Sequence, residues 1–127
     1  MNAAILTNEF PPEIYGGAGI HVKFLTQELA KLCHVEARCF GPQDEDENNI
    51  RAVGFNRKLG LSPKDDRFQK IFKPLDINLQ WAATLDDVDV IHCHTWYSHF
   101  GGVLASRLLQ CPLILTTHSL EPHRPWK

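Results

Sequence analysis

One short stretch of the chain, HCHTWYSH, holds three of its seven histidines. Imidazole can ligate a metal, carry a proton or hydrogen-bond a ligand hydroxyl. On a strand, His92 and His94 would point to one face and Cys93 to the other, and no HExxH or paired CxxC motif completes a ligand set. We therefore predict no metal site here. We expect His92 to pack within a sheet, and His94, Thr95 and Trp96 to emerge at its edge.

Aromatic and imidazole side chains in two places suit a sugar ligand. Trp96 and Tyr97 offer flat apolar faces with a polar edge, although both rings could instead cover the following helix. His118 follows the apolar run LILTT, and it could hydrogen-bond a ligand hydroxyl, stabilise developing charge or cap a neighbouring loop. These residue types indicate carbohydrate recognition at the end of two strands.

A glycine cluster stands at the end of an unusually long loop, NEFPPEIYGGAG. Loops between a strand and a helix are usually about 2–6 residues long, so this length suggests a task for the loop. Gly16, Gly17 and Gly19 would let a ligand approach the backbone, and the helix that follows favours phosphate at its start. The third glycine of a dinucleotide fingerprint is missing, which disfavours NAD. A flexible hinge is the alternative.

Strand-like and helix-like patterns alternate along the chain. Strands are predicted at residues 3–7, 35–40, 50–55, 88–94 and 112–117, and a solvated loop at residues 43–49. Helices are predicted from Gly19 to Leu32 with Val22, Leu25, Leu29 and Leu32 buried, from near Pro74 to Leu85, and from Ser98 to Gln110 with Phe100, Leu104 and Leu108 on one side. This order predicts an α/β fold with a Rossmann-like, doubly wound, mainly parallel sheet.

Three unusual segments follow the carboxyl ends of the first, fourth and fifth predicted strands: NEFPPEIYGGAG, HTWYSH and HSLEPHRPW. In the common doubly wound order the first and fourth strands are neighbours, and ligands bind in the crevice at their carboxyl ends. We therefore expect the three segments to converge on one rim of the sheet.

Composition excludes several classes of function. The 127 residues carry a formal net charge of −2, so there is no basic field for nucleic acid. No apolar stretch approaches the roughly 20 residues that span a bilayer, and the start lacks a signal-peptide pattern. We expect a cytoplasmic protein whose four cysteines are reduced and buried, because none has CxxC spacing.

The segments NEFPPEIYGGAGIHV, IHCHTWYS and TTHSLEPHRPWK resemble the amino-terminal domain of bacterial glycogen synthases and their maltose-1-phosphate synthase relatives. These are retaining glycosyltransferases of family 4 with the two-domain GT-B fold. The resemblance implies glucose transfer from ADP-glucose to an α-1,4-glucan or to a sugar phosphate such as glucose 1-phosphate, without a cofactor. In this family the amino-terminal domain mainly shapes the acceptor side.

By resemblance, the site residues fall into three groups. They are His118 as the catalytic group on the transferred glucose, Gly16, Gly17 and Gly19 at the donor diphosphate, and Glu9, His94, Thr95, Trp96 and Glu121 at the acceptor. Two positions depart from the related glycogen synthases. Ile14 stands where a lysine is usual, so phosphate contact would rest on backbone, and Thr95 replaces an aspartate, so that contact becomes a hydroxyl contact.

The resemblance also sets expectations for the chain as a whole. Residues 1–127 would be one domain of the synthase type, with the carboxyl-terminal nucleotide-sugar domain absent, as in a fragment or half of a split enzyme. We expect no appreciable transferase activity from the chain alone, and association through an exposed sheet edge. A stand-alone sugar-binding module and a complete Rossmann-type nucleotide enzyme are the alternatives. His123 and Arg124 would favour a phosphate acceptor, although surface charge explains them equally.

Overall fold

A twisted sheet of six strands forms the centre of the molecule, and the structure, a computed structural model, describes residues 1–120. The strands are β1 (Asn2–Leu6), β2 (His34–Phe40), β3 (Asp44–Glu47), β4 (Ile50–Phe55), β5 (Val90–His94) and β6 (Leu113–Thr116). The helices are α1 (Gly17–Leu29), α2 (Gln69–Thr84) and α3 (Trp96–Leu109), with a short 3₁₀ turn at Asp66–Phe68. The order β3-β4-β2-β1-β5-β6 is parallel except for β3, which confirms the predicted doubly wound sheet.

Strand β1 lies between β2 and β5 and is covered on both faces. Ile5 packs in a core with Val22 of α1 and Val35 of β2, whereas Leu6 packs in a second core with Trp81 of α2. A strand covered on both faces must be apolar along its whole length, which explains the continuous run at the start of the chain. The predicted adjacency of β1 and the strand that ends in His94 is therefore confirmed.

Helix α1 begins and ends earlier than the sequence pattern predicts. Val22 is fully buried as expected, but Leu32 lies beyond the end of the helix and is 83% exposed. The prediction that Leu32 belongs to the buried stripe is wrong. The chain leaves the helix after Leu29 in order to enter β2, so the helical spacing of Leu32 has no structural meaning.

Helix α3 packs through its small residues rather than through its large ones. Of the predicted apolar side, Leu104 packs against the second core, but Phe100 and Leu108 are exposed, so the prediction is wrong for these two residues. Gly101 and Gly102 are buried instead. A Cβ at Gly102 would lie 2.1 Å from Sγ of Cys93 on β5. The missing side chain therefore allows α3 to approach the sheet closely.

The acidic segment at residues 43–49 is not the predicted loop but contains an edge strand. β3 pairs antiparallel with β4 through a tight turn at Asn48 and Asn49, whose φ angles are 52° and 67°. Two successive residues with positive φ are the requirement of a type I′ hairpin turn, and asparagine tolerates it. All four residues of β3 are exposed, which fits a charged edge strand.

Helix α2 begins at Gln69 rather than near Pro74, which lies inside it. The Asp65 carboxylate accepts a hydrogen bond of 2.9 Å from the N–H of Arg67 and starts the 3₁₀ turn that leads into the helix. Proline is best tolerated in a first helical turn, and here it removes one backbone hydrogen bond slightly later. The sequence signal at Pro74 therefore marked the helix but not its first residue.

The cysteines are free thiols, as predicted. Cys33, Cys39 and Cys93 are buried, whereas Cys111 is only half-buried, so the prediction of burial holds for three of the four. Burial raises the pKa of the Cys39 and Cys93 thiols to about 12, which keeps them protonated and unreactive at neutral pH.

Strand β6 forms one edge of the sheet in the part of the chain that the structure describes. Its Ile114 and Leu115 are each nearly half exposed. The predicted exposed apolar edge is therefore present, and association through it stays a prediction. None of the helices formed by residues 1–120 is long and apolar enough to cross a membrane.

Candidate functional site

The parts of the three segments that lie within residues 1–120 meet at one rim of the sheet, the third of them represented by His118 and Ser119. They enclose a cleft of about 700 Å³, called here the first cleft, at the carboxyl ends of β1, β5 and β6. Its lining residues are Asn8, Glu9, Tyr15, Gly16, Gly17, Ala18, Thr95, Trp96, Tyr97, His118 and Ser119. This is the crevice in which doubly wound sheets bind their ligands.

Glu9 anchors the long loop between β1 and α1. Its Oε2 accepts hydrogen bonds of 3.0 Å from the N–H groups of both Tyr15 and Gly16. A Cβ at Gly19 would lie 2.6 Å from the same oxygen, so the missing side chain makes room for the carboxylate. Gly19 is buried and does not line the first cleft, and we therefore assign it a packing role instead of the predicted donor contact.

Gly16 and Gly17 present open backbone to the first cleft. No atom lies within 4 Å of a Cβ built at either position. Gly16 is the N-cap of α1 and supplies no side-chain hydrogen bond to the helix. The first N–H groups of a helix lack intrahelical partners and carry partial positive charge, so this end of α1 suits an anion.

Thr95 has a strained backbone where β5 ends and α3 begins. Its φ of 65° and ψ of 159° lie in a region that is essentially restricted to glycine. Its Oγ1 donates to Oδ1 of Asn8 at 2.9 Å, and its N–H donates to the carbonyl of Thr116 at 3.0 Å. These bonds tie β1, β5 and β6 together at the cleft. Sequence reasoning identified Thr95 but gave no sign of the strain.

Thr95→Gly is expected to be about 1–2 kcal/mol more stable than Thr95→Ala. Both variants lose the hydroxyl bond to Asn8, which contributes about 1 kcal/mol, but only glycine relieves strain of about 1–3 kcal/mol. The entropy cost of glycine, about 0.5–1 kcal/mol, offsets part of that gain. Urea unfolding of the two variants measures the difference. A glycine variant less stable than the alanine variant would show that the backbone is not strained.

Trp96 and Tyr97 form a stacked pair in the first turn of α3. Their ring centroids are 4.1 Å apart, and Trp96 is 49% exposed. The ring of Tyr97 is also nearly perpendicular to that of Phe40, with centroids 6.3 Å apart. The pair therefore does not simply cover α3, because the half-exposed Trp96 lines the first cleft while its ring stacks on that of Tyr97.

His94 lies beneath the cleft and does not emerge at its rim. Its side chain is fully buried, so the expectation that it emerges with Thr95 and Trp96 is wrong. The alternation of side chains along β5 predicts the face on which His94 lies, but not that another residue covers it. His118 does so, with its Nε2 3.0 Å from Nδ1 of His94. The two rings share a hydrogen bond, and His118 is the one that lines the cleft.

A group of four imidazoles surrounds this contact. His21 lies with its ring centroid 5.6 Å from that of His94 and 5.2 Å from that of His118, and His92 lies 4.1 Å from His94. Burial, followed by the charges of the neighbouring histidines, lowers the pKa of His94 to about 3. Burial also lowers the pKa of His118. Both rings are therefore neutral at pH 7, a state in which imidazole interacts through hydrogen bonds rather than through charge.

The remaining predictions concern metal binding and Glu121. Within residues 1–120, no group of three or more His, Cys, Asp or Glu side chains is placed to hold a metal ion. Nε2 of His92 and Oγ1 of Thr116 instead share a hydrogen bond of 2.8 Å. Glu121, predicted on the acceptor side, lies outside the described residues, as do His123 and Arg124.

A doubly wound sheet with a cleft at the carboxyl ends of β1 and β5 defines a Rossmann-like domain. The chain belongs to glycosyltransferase family 4, which it matches over residues 15–127. The matched range includes Gly16, Gly17, Trp96 and His118.

Relatives in three organisms show the same affiliation. The whole chain is 40% identical to the α-maltose-1-phosphate synthase of Mycolicibacterium smegmatis and 39% identical to that of Mycobacterium tuberculosis. It is 31% identical, over 95% of its length, to an uncharacterised glycosyltransferase of Methanocaldococcus jannaschii. The chain spans about 30% of the length of the two synthases.

A solved structure shows the same fold. Sucrose-phosphate synthase from Thermosynechococcus elongatus superposes with a TM-score of 0.68 at 20% sequence identity. The match covers 97% of this chain and 34% of that one. At this level of identity, the likeness concerns the fold alone.

Proposed function

We propose that this chain forms the acceptor side of a retaining glucosyltransferase that uses ADP-glucose. The acceptor is an α-1,4-glucan or glucose 1-phosphate. The observation that carries the proposal is the meeting of an open glycine backbone, an exposed indole and a neutral histidine around one cleft. The maltose-1-phosphate synthases at 40% and 39% identity support glucosyl transfer.

The geometry of the cleft suggests how the donor would be held. Because the N–H of Gly16 is already bound to Glu9, the donor diphosphate would meet the next amides, those of Gly17 and Ala18. His118 would hydrogen-bond the transferred glucose, and His94 would act as a positioning residue behind it. Gly16 contributes by leaving the approach open.

The acceptor would lie against Trp96, with the hydroxyl of Thr95 and the carboxylate of Glu9 beside it. In the transfer, an acceptor hydroxyl oxygen bonds to the anomeric carbon while the bond from that carbon to the diphosphate oxygen breaks. The hydroxyl proton leaves with the nucleoside diphosphate, so atoms and charge balance. Such catalysis depends on positioning and on stabilising the departing diphosphate, and it needs no nucleophile from this domain.

A second, nucleotide-sugar-binding domain would complete the site in the two-domain GT-B arrangement. We therefore expect no appreciable transfer from these 127 residues by themselves. The free cysteines fit a reducing compartment, and we place the reaction in the cytoplasm.

Trp96→Ala is expected to weaken binding of glucose 1-phosphate or maltooligosaccharide to the chain about tenfold, because the sugar loses its stacking surface. Isothermal titration of the 127-residue chain measures the affinity. Phe100→Ala is the matched control, since Phe100 is an exposed aromatic residue of the same helix outside the first cleft.

Several outcomes of these measurements would count against the proposal. Equal losses in the Trp96 and Phe100 variants would remove the sugar from the first cleft. Robust ADP-glucose turnover by the 127-residue chain would contradict the requirement for a second domain. Tight sugar binding by the 127-residue chain could also occur without any transfer from ADP-glucose, both in the chain alone and in the presence of a nucleotide-sugar-binding domain. That result would favour the stand-alone sugar-binding module.

A further inference from the structure

A second cleft lies beside the first on the same rim of the sheet. It has a volume of about 790 Å³ and is formed by the end of β2, the segment after β4 and the start of α2. Asn8, Tyr15 and Tyr97 line both clefts. The two clefts therefore adjoin, with these three residues at their boundary.

The second cleft is positively charged, in contrast to the chain as a whole. Arg57, Lys70 and Lys73 line it, and Glu13 is the one carboxylate among its lining residues. In the part of the chain that the structure describes, none of these three cations forms an ion pair with a carboxylate. Lys70 also lies in the first turn of α2, where the helix dipole adds to the positive potential.

Two of the cations are held by neighbouring groups. The guanidinium of Arg57 donates to the carbonyl of Leu61. Nζ of Lys73 lies 5.7 Å from the centroid of the Phe40 ring, within the range of a cation–π contact. These contacts restrain the side chains without neutralising their charge, so the positive charge stays available to a ligand.

The loop that carries Arg57 is anchored from beneath by Asp76. This fully buried carboxylate accepts hydrogen bonds from the N–H groups of Lys58 at 3.1 Å and Leu59 at 3.0 Å. Gln80 adds a bond of 2.8 Å from its Nε2 to the carbonyl of Asn56. The backbone on both sides of Arg57 is therefore fixed at the wall of the cleft.

We propose that the second cleft binds the phosphate of a phosphorylated sugar acceptor through Arg57, Lys70 and Lys73. This inference rests on the proposed function and chooses between its two acceptors. The sugar ring lies toward the shared boundary at Tyr97, so that a hydroxyl faces the first cleft while the phosphate remains in the second. Arg57 has a charge interaction with the buried Asp76 beneath its loop, but within residues 1–120 neither Lys70 nor Lys73 forms an ion pair with a carboxylate. A neutral glucan would have no use for this positive charge, whereas a phosphate ester would neutralise it.

The test is a titration of the 127-residue chain with glucose 1-phosphate, glucose, inorganic phosphate, maltohexaose and ADP-glucose. The variant is Lys70→Ala/Lys73→Ala, whose exposed side chains can be removed without opening the core. Lys64→Ala is the matched control, because Lys64 is an exposed lysine that lines neither cleft.

The double variant is expected to lose at least tenfold in affinity for glucose 1-phosphate, with a weaker salt dependence, while the control keeps both. Affinity for glucose and maltohexaose should not change.

Unchanged affinity for glucose 1-phosphate overturns the inference, and if Trp96→Ala still weakens sugar binding, the proposed function stands. A loss confined to ADP-glucose assigns the cleft to the donor, and a loss confined to inorganic phosphate reduces it to a general anion site. Either outcome overturns the inference, and failure of every ligand to bind overturns the proposed function as well.

Discussion

Between pH 7 and pH 5, the folded chain is expected to lose about 2 kcal/mol of stability through His94 alone. The buried ring has its pKa lowered to about 3, whereas histidine in the unfolded chain has its ordinary pKa of 6.5. Below pH 6.5 the unfolded state therefore takes up a proton that the folded state refuses. Stability is fully present above pH 6.5 and declines as the pH falls, by at most about 1.4 kcal/mol per pH unit, until the folded pKa is reached.

Urea unfolding at pH 7, 6 and 5 measures this loss, and His94→Phe identifies its source. Phenylalanine fills a similar volume and cannot titrate, so the variant is expected to show a much smaller decline with falling pH. Burial also lowers the pKa of His92 and of His118, so some decline in the same direction remains. His34→Phe is the control, because His34 lies at the start of β2 beside Asn49, outside the group of four imidazoles. Equal slopes in the chain and in His94→Phe would contradict the assignment.

The doubly wound sheet was predictable because its cause is local in sequence. The part of a strand that is buried on both faces must be apolar, as from Ala3 to Leu6 in β1, and a long loop before a helix identifies the carboxyl edge. The side of α3 that packs was not predictable in the same way. The buried face of α3 contains Gly101 and Gly102, whose missing side chains make room for Asn78 and Cys93. A pattern based on hydrophobicity gives glycine little weight and selects Phe100 instead.

The residues of the first cleft were predictable by type and position, but their interactions were not. Sequence placed Glu9, Thr95, Trp96 and His118 at one rim, and the structure brings them together there. The Glu9 carboxylate accepts hydrogen bonds from loop amides, and the backbone at Thr95 is strained. Both features depend on how the segments lie in space, which the sequence does not give. One local signal was available and missed, since the pair Asn48 and Asn49 between two short polar and apolar runs is typical of a hairpin turn.

The second cleft could not be found from sequence because its cations come from separate elements. Arg57 follows β4, while Lys70 and Lys73 lie one turn apart on α2, in a stretch that gave no clear prediction. What joins them is Asp76, which looks like an ordinary helix-surface carboxylate in the sequence but is fully buried.

Asp76→Ala is expected to lower the free energy of unfolding by about 2–4 kcal/mol, because it leaves the partly buried N–H groups of Lys58 and Leu59 and the buried amide of Gln80 without this acceptor. Burial raises the pKa of Asp76, but the hydrogen bonds from these donors outweigh it and the net pKa lies below 3.8. Its contribution to stability is therefore present above pH 3.8 and is lost as the pH falls through the folded pKa. This range lies mostly below that of His94, so the two effects separate in an acid titration.

Asp76→Asn separates the anchoring of the loop from the carboxylate charge. Asparagine keeps one acceptor oxygen, so its loss is expected to be intermediate, and Asp66→Ala, an exposed carboxylate near the start of α2, should cost less than about 0.5 kcal/mol. Urea unfolding at pH 7 gives the order of the three variants. Because Asp76 fixes the backbone next to Arg57, the asparagine variant should also bind glucose 1-phosphate more weakly than the native chain. If Asp76→Ala proves as stable as Asp66→Ala, the buried carboxylate does not hold the loop, and Arg57 has no fixed place in the second cleft.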